Sequence, residues 1–474
     1  MRQLHHGLQG EGRHAVHLRQ SRVRTPLGRR GRRRGQVSAA SAVTVIGAGL
    51  AGSEAAWQVA QAGIDVTLVE MRPQATTPAH STGHFAELVC SNSLGSDREE
   101  TAPGLLKGEM RALGSLVLQC ATRWRVPAGQ ALAVDRHRFS ACITAALEAH
   151  PRVSVVRREA TEIPKEGIVV VATGPLTSES LSRHLADLLG EEHLFFFDAA
   201  SPIIEADSVD WSVAFWASRY GRGEADYANC PMDREDYLAF CEALVKAERV
   251  PLHGFESMKL FEACMPVEEL AGRGVDTLRY GPLKPVGLLD PRTGQRPYAV
   301  AQLRKENREG TLLNLVGFQT RLTWPEQRKV FRMIPGLQNA EFVRYGVMHR
   351  NTYINGPAHL LPTLQLKRDG RILFAGQITG VEGYMESAAT GIVAGINAAR
   401  LATGRGPVVW PPGCCLGALC QHASSPPPAG DYQPKGMSFG LLPPCLEAKR
   451  KEERRRCQIQ LAQVSFSETL KRLR

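Results

Sequence analysis

The sequence has no uninterrupted run of 18 or more apolar residues, and it does not begin with a charged stretch followed by an apolar one. We therefore expect no membrane-spanning helix and no secretory signal, and we predict a cytoplasmic protein. No internal repeat is detectable. With 474 residues, 43% of them hydrophobic and 22% charged, the chain is long enough for two or three globular domains.

Paired cysteine motifs are also missing, because the eleven cysteines are widely scattered and no two form a CxxC pair. An odd, scattered set argues against a disulfide framework and against a zinc ribbon. We therefore expect free thiols, a few of them reactive, and no metal site. The cysteines are Cys90, Cys120, Cys142, Cys230, Cys241, Cys264, Cys414, Cys415, Cys420, Cys445 and Cys457.

Acidic residues are scarce only at the N-terminus, where residues 1–40 contain ten Arg and the single acid Glu11. The formal net charge of +11 comes mainly from this segment, because the remaining residues contain 48 Lys or Arg and 46 Asp or Glu. The body of the protein is therefore almost neutral. An RNA-binding arm and a transit-like peptide both fit the composition. We favour a disordered extension over 1–41 or translation from an upstream start codon.

The pattern of strands and helices predicts an α/β fold with a Rossmann-type domain of the two-dinucleotide kind, and the motifs described in the next two paragraphs indicate that this domain binds FAD. Strands are expected at 43–46, 65–69, 168–171 and 371–375, and helices at 53–62, 387–401 and from 449 onward. Nucleotide-binding elements thus lie near both ends of the chain. We assign 42–200 and 310–405 to the FAD-binding domain, 200–310 to an inserted α+β domain, and 406–474 to a C-terminal loop and basic helical segment.

The most specific motif is the glycine-rich turn between the first strand and the first helix. Glycines in a G-x-G-x-x-G turn let the backbone approach a pyrophosphate, and the helix N-terminus supplies a positive dipole. An acid at the end of the second strand, Glu70, is placed to bind the adenosine ribose. The residues of the turn are Gly47, Ala48, Gly49, Leu50, Ala51 and Gly52.

Two distant segments favour FAD over NAD as the bound dinucleotide. Gly174 ends an Ala-Thr-Gly sequence after a β-branched strand, which is frequent in flavoproteins with two dinucleotide sites. Gly376 begins a loop that leads to a second helix rich in small residues. Tyr384, in that loop, is placed to stack on the isoalloxazine, although a packing role for its ring is the alternative.

Many further segments of the chain match one family pattern, in addition to the turn with its flanking strand and helix. They are 45–56, 70–73, 77–80, 87–93, 229–232, 264–268, 281–287, 317–320, 348–353, 376–384 and 439–443. In these segments the sequence resembles the TrmFO family of folate- and FAD-dependent tRNA (uracil-5-)-methyltransferases, and the resemblance covers about 42–474. Arg-rich residues 1–40 lie outside the family pattern, and Cys414-Cys415 stands where the family usually carries a threonine-containing segment.

The resemblance implies that two cysteines carry out the methylation of uracil carbon 5. The reaction needs a nucleophile that adds to carbon 6 and a base that later removes the carbon 5 proton, and thiols suit both tasks. The family's cysteines match Cys90 in Glu-Leu-Val-Cys-Ser-Asn-Ser and Cys264 in Phe-Glu-Ala-Cys-Met-Pro. We favour Cys90 as the nucleophile and Cys264 as the base.

The resemblance also implies the cosubstrates and the target. 5,10-Methylenetetrahydrofolate donates the carbon, reduced FAD takes part in its transfer, and NAD(P)H restores the reduced flavin. The target is the T-loop uridine-54 of tRNA, which must leave its stack to react. No protein partner is indicated. Polar positions that either line the site or have structural roles are Gln319, His349, Arg350 and Asn351.

Binding of tRNA requires basic residues, which we expect on the inserted domain and on the C-terminal helix. There are three alternatives to this function. The first is a flavoprotein that modifies the tRNA wobble uridine, although proteins of that family are longer and carry an additional helical domain. The others are a generic FAD oxidoreductase and a non-enzymatic scaffold. Candidate phosphate contacts are Arg219, Arg222, Arg273, Arg279, Lys284, Arg344 and the Lys449–Arg456 cluster.

Overall fold

A computed structural model describes residues 42–77, 79–191, 194–221, 224–251, 265–427, 431–448 and 450–473. The side chains of 196–198, 349 and 350 are not described either. The Arg-rich segment 1–41, Arg222, Lys449 and Cys264 therefore lie outside the described residues, and the expectations for them stay predictions.

The described strands lie in four sheets. In chain order they are β1 (Val43–Ile46), β2 (Val66–Glu70), β3 (Ser93–Ser96), β4 (Arg125–Val126), β5 (Ala131–Val134), β6 (Val153–Arg157), β7 (Ile168–Val171), β8 (Leu194–Ala199), β9 (Ile203–Glu205), β10 (Phe215–Ala217), β11 (Tyr227–Met232), β12 (Ala299–Lys305), β13 (Leu312–Leu315), β14 (Phe342–Arg344), β15 (Met348–Tyr353) and β16 (Ile372–Phe374).

The described α-helices pack on these sheets. They are α1 (Leu50–Gln61), α2 (Ala102–Ala112), α3 (Leu116–Arg123), α4 (Arg136–Glu148), α5 (Glu179–Leu189), α6 (Arg234–Lys246), α7 (Val267–Gly272), α8 (Thr277–Tyr280), α9 (Trp324–Phe331), α10 (Gly356–His359), α11 (Tyr384–Ala402), α12 (Cys415–Ser424) and α13 (Lys451–Leu473).

The sheet that carries the glycine-rich turn is parallel, with strand order β16-β7-β1-β2-β6. Its central strands are buried and rich in Val and Ile, as expected for strands covered on both faces. Parallel strands end at one common edge, so the loops after β1, β2, β7 and β16 meet there. The predicted strands and the parallel α/β arrangement are confirmed, with small shifts at their ends.

Helices α1 and α11 cross this sheet in close contact, although they come from distant parts of the chain. A Cβ atom at Gly391 would overlap the Ala51 backbone, and one at Gly395 would lie 2.6 Å from the Ala55 carbonyl oxygen. The small residues of both helices are therefore what allows the two backbones to approach. Helix α11 begins three residues before the predicted start, at Tyr384, with Gly383 as its N-cap.

The middle of the chain forms a mostly antiparallel sheet of order β10-β11-β12-β13-β9-β14, backed by α6, α7 and α9. We expected the FAD-binding part to resume at residue 310. Strands β13 and β14 instead pair with β12 and β9, so this sheet continues to Arg344. The short apolar run of β13 carries no signal that tells which of two sheets it joins, and this is why the boundary was misplaced.

Two expectations for the C-terminal part are wrong. Within 406–474 we expected a loop before the basic helical segment, but Cys415–Ser424 form α12, because the prolines of this region lie outside the helix itself. Cys445 and Cys457 were expected to be free thiols and form a disulfide. The turn before α13 brings their Cα atoms to 6.2 Å, a proximity that scattered positions in a sequence do not reveal.

Candidate active site

The glycine-rich turn stands between β1 and α1 at the carboxyl edge of the parallel sheet. Gly47 has φ +93°, and a Cβ there would lie 2.6 Å from the Ala172 carbonyl oxygen. A Cβ at Gly52 would overlap the Gly47 carbonyl oxygen. At Gly49, by contrast, no atom lies within 4 Å of the Cβ position. Two glycines therefore serve the packing, while the third faces open space in front of the helix N-terminus.

Glu70 holds the turn in place as well as facing the cleft. Its Oε2 accepts a 2.8 Å hydrogen bond from the Ala48 N–H, and its Oε1 accepts from the Arg72 N–H and, at 2.8 Å, from Arg72 Nε. Burial alone would raise the pKa of Glu70, but the hydrogen bonds and charge of Arg72 and the Ala48 bond keep it below its usual value. The carboxylate is therefore ionised at neutral pH.

A cleft of about 530 Å³ opens beside this turn. Gly47, Gly49, Glu70 and Leu176 line it, together with Thr173, the residue before Gly174. Gly174 itself has φ +68°, and the space around its Cβ position is open. The cleft offers a helix N-terminus for phosphates and a carboxylate for hydroxyl groups, so its residues fit the adenosine half of a dinucleotide.

A second helix N-terminus lies along the same edge. Because Ala51 is level with Gly391, the N-terminus of α11 extends about six residues, or roughly 9 Å, beyond that of α1. Gly376 is packed between the two helices, with φ +85° and a Cβ position 2.9 Å from Ala51 Cβ. Leu50 and Ala51 are themselves buried. The N-termini of α1 and α11, each the positive end of a helix dipole, therefore lie one after the other along the edge of the parallel sheet.

The second cleft, of about 930 Å³, surrounds the N-terminus of α11. Leu176 borders both clefts, so they adjoin along the sheet edge. An extended dinucleotide, with its adenosine half in the first cleft and its second ring system in the other, fits such a pair. The lining residues of the second cleft include Cys90, Ser91, Pro175, Asn351, Gln377, Glu382, Gly383, Tyr384 and Glu386.

Cys90 and Tyr384 meet in this second cleft. The Cys90 N–H donates a 2.7 Å hydrogen bond to Tyr384 Oη, and Cys90 Sγ lies 3.8 Å from the Ala199 carbonyl oxygen. The tyrosine ring is half-buried. The structure therefore brings together the predicted thiol and the predicted flavin-stacking ring, and it gives the tyrosine hydroxyl a role that the sequence did not indicate.

Two buried or half-buried arginines hold the loop that carries Cys90. Arg136 donates to the Leu88 and Cys90 carbonyl oxygens and is paired with Glu306. Burial acts against its charged form, but the Glu306 carboxylate raises the pKa of Arg136 above its usual value. Arg344, which we expected to contact phosphate, donates to the Val89 carbonyl oxygen instead. The role of Arg136 could not be predicted from the sequence, because its partners include backbone atoms far away in the chain.

The other polar candidates are divided between the cleft and the protein interior. Asn351 lines the cleft with Cys90, whereas Gln319 is not among its lining residues. Arg219 donates to the Lys284 and Val286 carbonyl oxygens, and Arg279 is stacked on Tyr298. Both arginines therefore have internal partners. The exposed candidates that are left are Arg273, Lys284 and the basic residues of α13.

Two buried glutamates cap helices near the site. Glu54 accepts from the Val117 N–H at 2.9 Å at the start of α3. Glu109 accepts from the Cys415 and Leu416 N–H groups at 2.8 and 2.9 Å at the start of α12. Burial raises the pKa of each to about 7, and the hydrogen bonds oppose this only in part. The cysteines at 414 and 415, which had no expected role, therefore belong to a helix cap.

The described residues were also searched for metal sites and for membrane-spanning helices. No group of three His, Cys, Asp or Glu side chains among them is arranged to hold a metal ion. In the same part of the chain, every helix is too short or too polar to span a lipid bilayer.

Comparison with known proteins assigns these features to a family. Residues 42–406 match the family model described as glucose inhibited division protein A. The TrmFO of Heliobacterium modesticaldum, named methylenetetrahydrofolate–tRNA-(uracil-5-)-methyltransferase, is 61% identical over 405 residues, which are 85% of this chain and 92% of that protein. The TrmFO proteins of Moorella thermoacetica and Geobacter sulfurreducens are 59% and 58% identical and cover 85% and 88% of this chain, and 92% and 95% of their own lengths.

A solved structure with the same fold is that of Aquifex aeolicus GidA. Its TM-score is 0.65 at 18% identity, with 92% of this chain and 75% of that chain covered. At this identity the likeness concerns the fold, which is a Rossmann-type α/β fold of the flavoprotein kind.

Proposed function

This chain belongs to the TrmFO family within the glucose inhibited division protein A family, and we propose from this that it methylates carbon 5 of uridine-54 in the T-loop of tRNA. The observation that carries the proposal is the placement of Cys90. Its side chain lies in the cleft at the N-terminus of α11, beside Tyr384 and adjoining the cleft of the glycine-rich turn.

In the proposed reaction, Cys90 Sγ attacks carbon 6 of the uracil as a thiolate. The new S–C6 bond places the electron pair on carbon 5, which then bonds to the one-carbon unit. Cys264 removes the carbon 5 proton as the carrier nitrogen leaves the new methylene group. A hydride, which NAD(P)H would supply by way of the reduced flavin, converts the methylene to a methyl group and returns the electron pair to carbon 5. The S–C6 bond then breaks, which restores the C5–C6 double bond and releases the thiolate. Arg136 and Arg344 support the first step, because their positive charges lie beside the Cys90 loop and favour a thiolate there.

The cofactor of the proposed enzyme is FAD, which supplies one-carbon transfer and reducing chemistry that side chains lack. The residues that hold it are the Gly47–Gly52 turn and Glu70 at the adenosine half, and Gly376 and Tyr384 at the ring half. Gly49 supports this arrangement, because the space in front of it is open. 5,10-Methylenetetrahydrofolate is the carbon donor and NAD(P)H the reductant, with the cytoplasm as the compartment.

The alternatives differ in the product that they form. A wobble-uridine enzyme would modify the anticodon loop, a generic oxidoreductase would need no tRNA, and a scaffold would form no product. The relatives that are 58–61% identical are named tRNA-(uracil-5-)-methyltransferases, and this favours methylation of uracil carbon 5 over the alternatives.

The test is to incubate the purified flavin-loaded protein with an unmodified tRNA transcript, methylenetetrahydrofolate and NADPH. We expect 5-methyluridine at position 54 by nuclease digestion and mass spectrometry. A transcript in which cytidine replaces that uridine is the control and should gain no methyl group. The proposal fails if the flavin is bound and the folate is intact but no 5-methyluridine forms.

A further inference from the structure

Three aromatic rings form a stack at the surface of the middle sheet, outside both clefts. Trp324, the first residue of α9, lies parallel to Tyr345 at 5.3 Å between ring centroids and 13° between planes. Tyr345 in turn lies on Phe342 at 5.4 Å and 9°. Trp324 is 58% exposed, whereas Phe342 packs against the core of the middle sheet. The stack therefore leads from the core to an indole ring in solvent.

Polar contacts fix this stack before any ligand arrives. The buried Gln327 side chain donates to the Leu322 and Gly346 carbonyl oxygens at 2.7 and 2.8 Å and accepts from the Gly346 N–H at 2.8 Å. Arg328 donates to Tyr345 Oη at 2.6 Å. Helix α9 and the backbone after Tyr345 are thus held together, so little ordering is needed for binding.

The segment that carries Tyr345 is tied to the loop of the candidate nucleophile. Tyr345 directly follows Arg344, whose guanidinium donates to the Val89 carbonyl oxygen, one residue before Cys90. The neighbouring Arg328 and Lys329 are exposed. An exposed ring next to a guanidinium matches an unpaired RNA base, which offers a π-face, and its phosphate, which offers a negative charge.

We propose that Trp324 and Tyr345 are a stacking platform for an unpaired T-loop base of the tRNA, next to the uridine that reacts at Cys90. This inference rests on the proposed function and identifies the surface through which the substrate is held. The exposed ring, the neighbouring guanidinium and the proposed tRNA substrate together favour RNA as the occupant of this surface. Arg328 holds the tyrosine ring and presents its charge at the platform edge.

The test measures binding of the unmodified tRNA transcript to the full-length, FAD-loaded protein by filter binding, without folate or NAD(P)H. We expect Trp324→Leu to weaken binding about tenfold or more, and Trp324→Phe to stay within about threefold of the wild type. The slope of log Kd against log salt should be equal in all three, because no charge changes.

Trp211→Leu is the matched control. Trp211 is also exposed and stacks at 5.4 Å and 15° on Trp216, which belongs to β10 at the other edge of the same sheet. Its removal should leave the Kd unchanged. Flavin content and Tm are measured for each variant, and Tyr345→Leu replaces Trp324→Leu if the latter is unstable.

Unchanged tRNA affinity in Trp324→Leu overturns the platform, whatever other macromolecule this surface contacts. Equal weakening by Trp211→Leu overturns it as well, since the effect would not be local. A wild type that binds tRNA but forms no 5-methyluridine contradicts the proposed function alone, because the binding test does not depend on methylation.

Discussion

Cys90 and Tyr384 are 294 positions apart in the chain, and yet the backbone N–H of Cys90 donates a 2.7 Å hydrogen bond to Tyr384 Oη. The hydroxyl therefore fixes the loop that presents the thiol. The ring that we expect to face the flavin and the thiol that we expect to attack uracil are thus mechanically linked through one oxygen atom.

Tyr384→Phe should separate these two roles, because it keeps the ring and removes the acceptor for the Cys90 N–H. We expect kcat for tRNA methylation to fall on the order of tenfold, since a partly buried N–H is left without its partner. FAD content should stay at the wild-type level. The measurement is steady-state methylation together with flavin absorbance, and an unchanged kcat would show that the bond does not position the thiol.

Cys90→Ala should abolish 5-methyluridine formation while the protein stays yellow. The expected loss is at least about a thousandfold, because alanine cannot form the S–C6 bond that we assign to Cys90. Cys142→Ala is the control, since Cys142 is also half-buried and lies on α4, outside the cleft. Turnover in Cys90→Ala comparable to that of Cys142→Ala would exclude Cys90 as the nucleophile.

Gly49→Ala and Gly52→Ala should fail in different ways. Space is open at Gly49, so the alanine variant should fold with a normal Tm in the flavin-free state but bind FAD at least about tenfold more weakly, because the new methyl group faces the phosphate. At Gly52 the methyl group would overlap the Gly47 carbonyl oxygen, so folding itself should fail. Equal FAD affinity of Gly49→Ala and wild type, by fluorescence titration, would refute this placement of the pyrophosphate.

The turn, its strands and the second small-residue helix could be predicted because their signals are local. Gly47, Gly49 and Gly52 have a fixed spacing, and the β-branched run at 168–171 is short and buried. The support of the site could not be predicted in this way. Arg136 binds the Leu88 and Cys90 carbonyl oxygens, and main-chain oxygens leave no trace in a sequence.

Stability should fall as pH rises because of Glu54 and Glu109, whose pKa values burial raises to about 7. Between the usual pKa of an unfolded glutamate and about 7, the folded state binds protons that the unfolded chain has released. Their contribution to stability is thus full at acidic pH and lost by about pH 7, on the order of 3 kcal/mol per site.

Glu109→Gln should flatten this dependence, because the amide keeps an oxygen for the Cys415 N–H and cannot ionise. The free energy of unfolding is measured in urea at pH 5, 6, 7 and 8. Glu99→Gln is the control, because Glu99 is exposed. The free energy of unfolding of Glu109→Gln could still fall with pH as steeply as that of the wild type. This would mean that Glu109 ionises in the folded protein as easily as in the unfolded chain.

The contact of Ala51 with Gly391 also sets when the protein can become functional during synthesis. Helix α1 is complete at Gln61, but the helix that packs against it ends at Ala402. At typical translation rates, roughly 20–70 s separate the two on the ribosome. Until α11 has been synthesised, the apolar face of α1 in the nascent chain has no helix packed against it. We therefore expect flavin capture to be a late event, and we expect a chain that is truncated before α11 to lose the cofactor.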